Sequence, residues 1–159
     1  MSSRGDNNWS RYPKMQKLAL TLQLSHLAFS VIWNLLSAVL VGLGMAALGP
    51  TSSLIWAFIL TILAYVLWFS AQQVKTLYMT LSCFQLIAAT STIYNAFIKE
   101  ENLWPSEFWR LSGVVINTLG VIGSVIALSL LLTLIIEHYI IRNGISRSVA
   151  AKQKNSKEY

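Results

Sequence analysis

The stretch LALTLQLSHLAFSVIWNLLSAVLVGLGMAAL, residues 18–48, decides the fold. It contains no charged side chain, and it exceeds the roughly 20 apolar residues that cross the hydrocarbon core of a bilayer. Polar and small side chains recur along it at steps of three and four, which places them on one face of a helix. A helix surrounded by lipid gains nothing from such a face, so we expect it to contact other helices of this chain. The face consists of Gln23, His26, Ser30, Asn34, Ser37 and Gly44, with Val41 in the one gap.

The overall composition indicates an integral membrane protein. Apolar residues make up 55% of the 159 residues and charged residues 11%, whereas soluble domains carry about 25% charged residues. The formal charge of +6 lies mostly in the two ends of the chain and not in a basic groove, so we expect no nucleic-acid partner. The single cysteine, Cys83, excludes an intrachain disulfide and a thiolate metal cluster.

Four apolar segments follow one another, and we predict that each is a membrane-spanning helix. Gly49-Pro50 ends the first segment, and the hydroxyls of Thr51, Ser52 and Ser53 are suited to cap the second. At the far end, Gly144 is a predicted helix stop. The predicted spans are residues 18–48, 54–71, 76–98 and 111–138, within a transmembrane domain of residues 18–143 that is flanked by basic tails at 1–17 and 144–159.

The later spans also place small or polar side chains on one face. The repeat is close to 3.5 residues and the links are short, which together predict an all-α membrane protein with an antiparallel, left-handed four-helix transmembrane bundle. The amides either fix the helix register through interhelical hydrogen bonds or line an aqueous path, and the pattern alone leaves both open. The members singled out are Gln85 and Thr92 in the third span and Asn117, Gly120 and Ser124 in the fourth.

The distribution of lysine and arginine predicts the orientation of the bundle. Ten of them lie in the two tails and in the link between the second and third spans, and two, Lys99 and Arg110, lie on the opposite side. Basic residues accumulate on the cytoplasmic side of membrane proteins. We therefore expect a multi-pass protein with both termini in the cytoplasm.

Ionisable residues near the apolar segments are the candidates for chemistry, and they are His26, Glu137 and His138. His26 is either a neutral histidine hydrogen-bonded to a neighbouring helix or a proton carrier or metal ligand. Glu137 either forms a buried ion pair with His26 or turns to the surface, where Arg142 or water would pair with it. We find no set of residues typical of a catalytic site, and we expect no cofactor and no metal.

The segment PKMQKLALTL, residues 13–22, leads from basic residues directly into the first span. Together with cytoplasmic tails, a tight middle link and a modest loop before the last span, it resembles the MARVEL-type four-span membrane proteins. The resemblance implies a role in vesicle trafficking or in the organisation of membrane domains.

Three functions follow from these observations as hypotheses. The preferred one is a non-enzymatic protein that organises membrane domains or assembles with other membrane proteins or with copies of itself. The second is a small channel or transporter subunit with a polar conduit between its helices. The third is a membrane enzyme that uses His26 or His138.

Overall fold

In a computed structural model, the described part of the chain comprises residues 12–50, 52–96 and 103–155. It contains helices and no strands. The helices are α1 (Pro13–Gly42), α2 (Leu54–Gln73), α3 (Lys75–Tyr94) and α4 (Glu107–Asn155). All four are long enough and apolar enough to cross a membrane. The prediction of an all-helical chain with four long apolar helices is confirmed.

Helix α1 ends six residues before the end of the predicted span, because a glycine stops it. Gly44 adopts a φ of +78°, a left-handed conformation that favours glycine. The N–H groups of Met45 and Gly44 donate to the carbonyls of Leu40 and Val41, at 2.9 and 3.0 Å. These two bonds form a Schellman motif, which satisfies carbonyls that the helix end would leave free. Gly44 therefore terminates α1 and does not extend its polar face.

The start of α2 follows the predicted capping chemistry. Ser53 precedes the helix in an extended conformation, and its hydroxyl accepts a hydrogen bond from the N–H of Trp56 at 3.3 Å. Thr51 lies outside the described residues. The link to α3 is a single non-helical residue, Val74. So short a link keeps the end of α2 next to the start of α3.

Helix α4 is longer than the predicted span and includes the predicted stop. It spans 49 residues to Asn155, and Gly144 lies inside it. The prediction that the helix ends at Gly144 is wrong. A glycine within a helix costs about 1 kcal/mol relative to alanine, and no proline follows it to prevent the helix from continuing.

The contacts between α1 and α4 run in opposite order along the two helices. Tyr12 bonds Glu137, Gln23 bonds Ser124 and His26 bonds Asn117, so the residue number falls along α4 as it rises along α1. The apolar core lies toward the end of the bundle that holds Val74 and the start of α1. It consists of Ala19, Leu27, Leu67, Ala71, Tyr78, Ala127 and Leu131.

Candidate functional site

A buried glutamine on α1 joins three helices. The Gln23 side chain is fully buried, and its Nε2 donates to the hydroxyls of Ser82 on α3 and Ser124 on α4, at 3.0 and 3.3 Å. Its Oε1 accepts from the Tyr78 hydroxyl on α3 at 2.7 Å. An amide can both donate and accept, so one side chain satisfies three buried hydroxyls at once.

One turn further along α1, the His26 ring lies between two amides. Gln85 Nε2 is 2.8 Å from His26 Nδ1 and also donates to the backbone carbonyl of Gln23 at 3.0 Å. On the other side, His26 Nε2 is 3.3 Å from Asn117 Oδ1, and Asn117 Nδ2 donates to the carbonyl of Gly113 at 2.8 Å.

These bonds determine the tautomer of His26. A carbonyl oxygen only accepts, so the Gln23 carbonyl requires Gln85 to present its NH₂ group, and His26 Nδ1 must then accept. By the same reasoning, the Gly113 carbonyl directs Asn117 Oδ1 toward His26, so His26 Nε2 must carry the hydrogen and donate it. His26 is therefore a neutral imidazole with its hydrogen on Nε2. We call the hydrogen-bonded group Gln23, His26, Tyr78, Ser82, Gln85, Asn117 and Ser124 the polar network.

Two glycines on α4 allow this helix to approach the polar network. A Cβ atom placed on Gly120 would lie 2.7 Å from His26 Cγ and Nδ1, and one on Gly123 would lie 2.9 Å from the backbone nitrogen of Gln23. Both distances are shorter than a Cβ tolerates. Small residues at such positions permit the close helix packing on which membrane bundles depend. The predicted packing role of Gly120 agrees with this geometry. A Cβ on Gly120 would meet the His26 side chain, whereas one on Gly123 would meet the backbone of Gln23.

Toward the C-terminal end of α1, its polar face binds the segment that connects α1 to α2 and not another helix. Asn34 Oδ1 accepts from the N–H of Ser53 at 2.8 Å, and the Ser37 hydroxyl accepts from the N–H of Leu48 at 3.0 Å. The Asn34 amide also donates to the carbonyl of Ser30 at 2.8 Å. These bonds hold the segment between α1 and α2 against α1 and satisfy two of its backbone donors, which a buried loop otherwise leaves unpaired.

A cavity of about 340 Å³ lies between the helices at the end of the bundle opposite Val74. We call it the tryptophan cavity, because the indole rings of Trp33, Trp56 and Trp104 form much of its wall. His26 and Asn117 line it where it meets the polar network. The cavity therefore stops at the network, and the residues beyond it toward Val74 belong to the packed apolar core.

Trp104 is a site residue that the sequence pattern did not predict. Its ring edge would be 3.0 Å from a Cβ on Gly113 and 3.3 Å from one on Gly49, so it fits between two glycines. Trp33 packs edge-on against Trp104 and Trp109, with ring centroids 6.4 and 5.5 Å apart. The two glycines were the signal for this arrangement in the sequence. Trp104, however, lies more than fifty positions from Gly49, and periodicity along one helix cannot reveal a contact between such distant residues.

Like Asn34 and Ser37, two further predicted members of the polar faces lie outside the network. Thr92 is exposed, and its hydroxyl donates to the carbonyl of Ala88 at 3.0 Å on its own helix. Ser30 is half-buried and lines the tryptophan cavity. The network instead includes Tyr78 and Ser82, which share the α3 face with Gln85 at a spacing of four and three residues.

Of the two alternatives for Glu137, the ion pair with His26 does not form. Both nitrogens of the His26 ring bond amides, and a Glu137 oxygen accepts from the Tyr12 hydroxyl at 3.2 Å. The reason is axial distance. His26 lies level with Asn117, and Glu137 is twenty residues further along α4, or about 30 Å at 1.5 Å per residue. The side chain of His138 lies outside the described part of the structure.

The polar network offers little that could perform acid–base chemistry. It contains amides, hydroxyls and one neutral imidazole, and none of its members is a carboxylate. Among the described residues, no group of three His, Cys, Asp or Glu side chains is placed to hold a metal ion. No family model, curated protein or solved structure matches the chain.

Proposed function

We propose that the protein spans the membrane four times as an antiparallel, left-handed bundle with both termini in the cytoplasm. The exterior of the helices supports this proposal, because large apolar side chains are exposed along every one of them, including Phe29, Ile55, Phe84 and Ile135 at 45% or more. So much exposed apolar surface is costly in water and favourable in lipid. The even number of spans and the excess of basic residues in the tails support the orientation.

Cysteine accessibility tests this topology. In a Cys83→Ala background, cysteines introduced at Ser3 and Ser156 should react only with reagents that reach the cytoplasm. A cysteine at Asn102 should react only from the opposite side. Labelling of positions 3 and 102 from the same side would exclude four spans.

Within the membrane, the protein acts as a non-enzymatic subunit that assembles with other membrane proteins or organises membrane domains. The observation that carries this proposal is that the interior polar groups bond one another. Apart from Gln85 Oε1, the buried side-chain atoms of the polar network have hydrogen-bond partners within the chain. Polar groups used in this way fasten helices together. We therefore expect the function to depend on the surfaces of the bundle. The resemblance to MARVEL-type proteins supports a role in vesicle trafficking.

The outer face of α2 is the surface best suited to an assembly. Only Ala57, Leu67, Ser70 and Ala71 of this helix are buried. Its outward side chains are large and recur at steps of three and four, so they form a continuous ridge that a partner helix can pack against. The ridge consists of Ile55, Phe58, Ile62, Tyr65 and Phe69, each at least 45% exposed.

Purification in a mild detergent tests the assembly proposal. We expect the full chain to retain a membrane protein, or a second copy of itself, in a fixed ratio. The double variant Phe58→Ala, Tyr65→Ala should lose this partner, whereas Phe84→Ala, an equally exposed position on α3, should retain it. A protein recovered alone that conducts ions after reconstitution would favour the channel, and one that copurifies with haem or turns over a lipid would favour the enzyme.

A further inference from the structure

The tryptophan cavity has the size and lining of a ligand site. Its volume of about 340 Å³ falls within the roughly 300–1,000 Å³ of small-molecule sites, which are mostly apolar with a few polar groups. Indole rings and small aliphatic side chains make up most of the wall. Among the described residues that line it, none is a lysine, arginine, aspartate or glutamate. A charged ligand would therefore enter without a compensating charge, so the wall favours a neutral one.

Several polar groups in the wall are free to bind a ligand, among them the buried indole N–H of Trp104. His26, Asn34 and Asn117 already use their side chains in the bonds described above. Among the described residues, however, the hydroxyls of Ser30 and Ser52 and the side-chain amide of Asn95 form no hydrogen bond. Hydroxyls and amides both donate and accept, which suits a hydroxyl or an ester group on the ligand.

On one side, the cavity lies in the gap between α2 and α3, where some of its lining side chains are exposed. These helices meet at Val74, and the cavity lies between their other ends, with Trp56 on one side and Ala88 and Thr92 on the other. All three of these side chains are exposed, Trp56 by 50%. In a bundle that spans the membrane, this gap faces the acyl chains of the bilayer. A molecule that enters through it must be dissolved in the bilayer.

We propose that the tryptophan cavity binds a neutral lipid, with an acyl chain against the indoles and a hydroxyl or ester group on Ser30, Ser52 and Asn95. This inference rests on the proposed membrane insertion and is independent of the assembly proposal. An acylglycerol has the required chemistry, because it combines an apolar chain with uncharged hydroxyl and ester oxygens. A phospholipid with the same chain carries a charged phosphate, and the described residues of the wall offer it no opposite charge.

Photolabelling of the purified full chain in phosphatidylcholine nanodiscs tests the proposal. The probes are a diacylglycerol and a phosphatidic acid that carry the same diazirine acyl chain. We expect the diacylglycerol to label the segments 56–60 and 88–96, and the phosphatidic acid to label them far less. Ala88→Phe, which places a ring at the opening, should reduce diacylglycerol labelling about tenfold, a change equivalent to about 1.4 kcal/mol of affinity.

The matched control is Thr90→Phe, which adds the same ring at an exposed α3 position outside the cavity wall. It should leave labelling unchanged. Asn95→Leu, which removes a free amide and adds no charge, should also reduce diacylglycerol labelling, and it provides a second test if Ala88→Phe does not fold. The proposal would be overturned if both probes labelled all exposed helix faces equally and neither Ala88→Phe nor Asn95→Leu changed this labelling. Such a result would show contact with bulk lipid only.

Discussion

Gly123→Leu is expected to separate α1 from α4 and to lower the thermal unfolding midpoint of the purified protein by roughly 10 °C. A Cβ at this position would lie 2.9 Å from the Gln23 backbone nitrogen, and backbone cannot move aside as a side chain can. Overpacking costs typically 1–3 kcal/mol, and each kcal/mol shifts the midpoint by roughly 2–4 °C in a chain of this size. Loss of the bond between Gln23 and Ser124 adds to this cost.

Gly42→Leu is the matched control, because it is the same substitution at a glycine whose added Cβ would meet nothing within 4 Å. It should change the midpoint by no more than a few degrees. Thermal unfolding of both variants in one detergent, followed by circular dichroism, makes the comparison. If Gly123→Leu unfolds at the same temperature as Gly42→Leu, α4 does not approach α1 closely enough for a Cβ at position 123 to meet the Gln23 backbone.

Gln23→Leu is expected to destabilise the bundle by roughly 2 kcal/mol, although it increases the hydrophobicity of α1. The substitution removes three side-chain hydrogen bonds, to Tyr78, Ser82 and Ser124, and bonds of this kind between membrane helices contribute about 0.6 kcal/mol each on average. It also leaves three buried hydroxyls without this partner. The free energy of unfolding in a denaturing detergent titration measures the effect.

Gln73→Leu is the control for the change of residue type, because Gln73 is exposed at the end of α2. It should be neutral within experimental error. A Gln23→Leu variant as stable as wild type, or more stable, would mean that hydrophobicity outweighs the hydrogen bonds at this position. The polar face of α1 would then have no role in fastening the helices.

The sequence predicted the helices and the polar faces well, because both depend on local periodicity. The apolar segments are long, and Gln23, Gln85 and Ser124 lie buried between helices as their spacing indicates. The end of α1 was harder to predict. Gly44 continues the spacing of the polar face, but its freedom to adopt a positive φ makes it a helix stop, and spacing does not distinguish these two roles.

The sequence left open whether His26 pairs with Glu137, for a different reason. The sequence places both residues near the same side of the membrane, but it does not give the axial register of α1 against α4. Packing determines that register, through Gly120 beneath the His26 ring and Gly123 against Gln23. A histidine also has several possible partners in a helix bundle, and here two amides, from Gln85 and Asn117, occupy its nitrogens.

A double-mutant cycle between Gln23 and Tyr78 tests most directly whether interior polar side chains fasten one helix to another. Tyr78→Phe removes the hydroxyl that donates to Gln23 Oε1 at 2.7 Å and keeps the ring. We expect this change to destabilise the wild-type protein by roughly 0.6–1.7 kcal/mol, the range from average to strongest for such bonds in membrane bundles. In the Gln23→Leu background it should cost clearly less, because Tyr78 then loses only its remaining interaction with Ser82. An equal cost of Tyr78→Phe in both backgrounds would show that the bond between Gln23 and Tyr78 does not fasten α1 to α3.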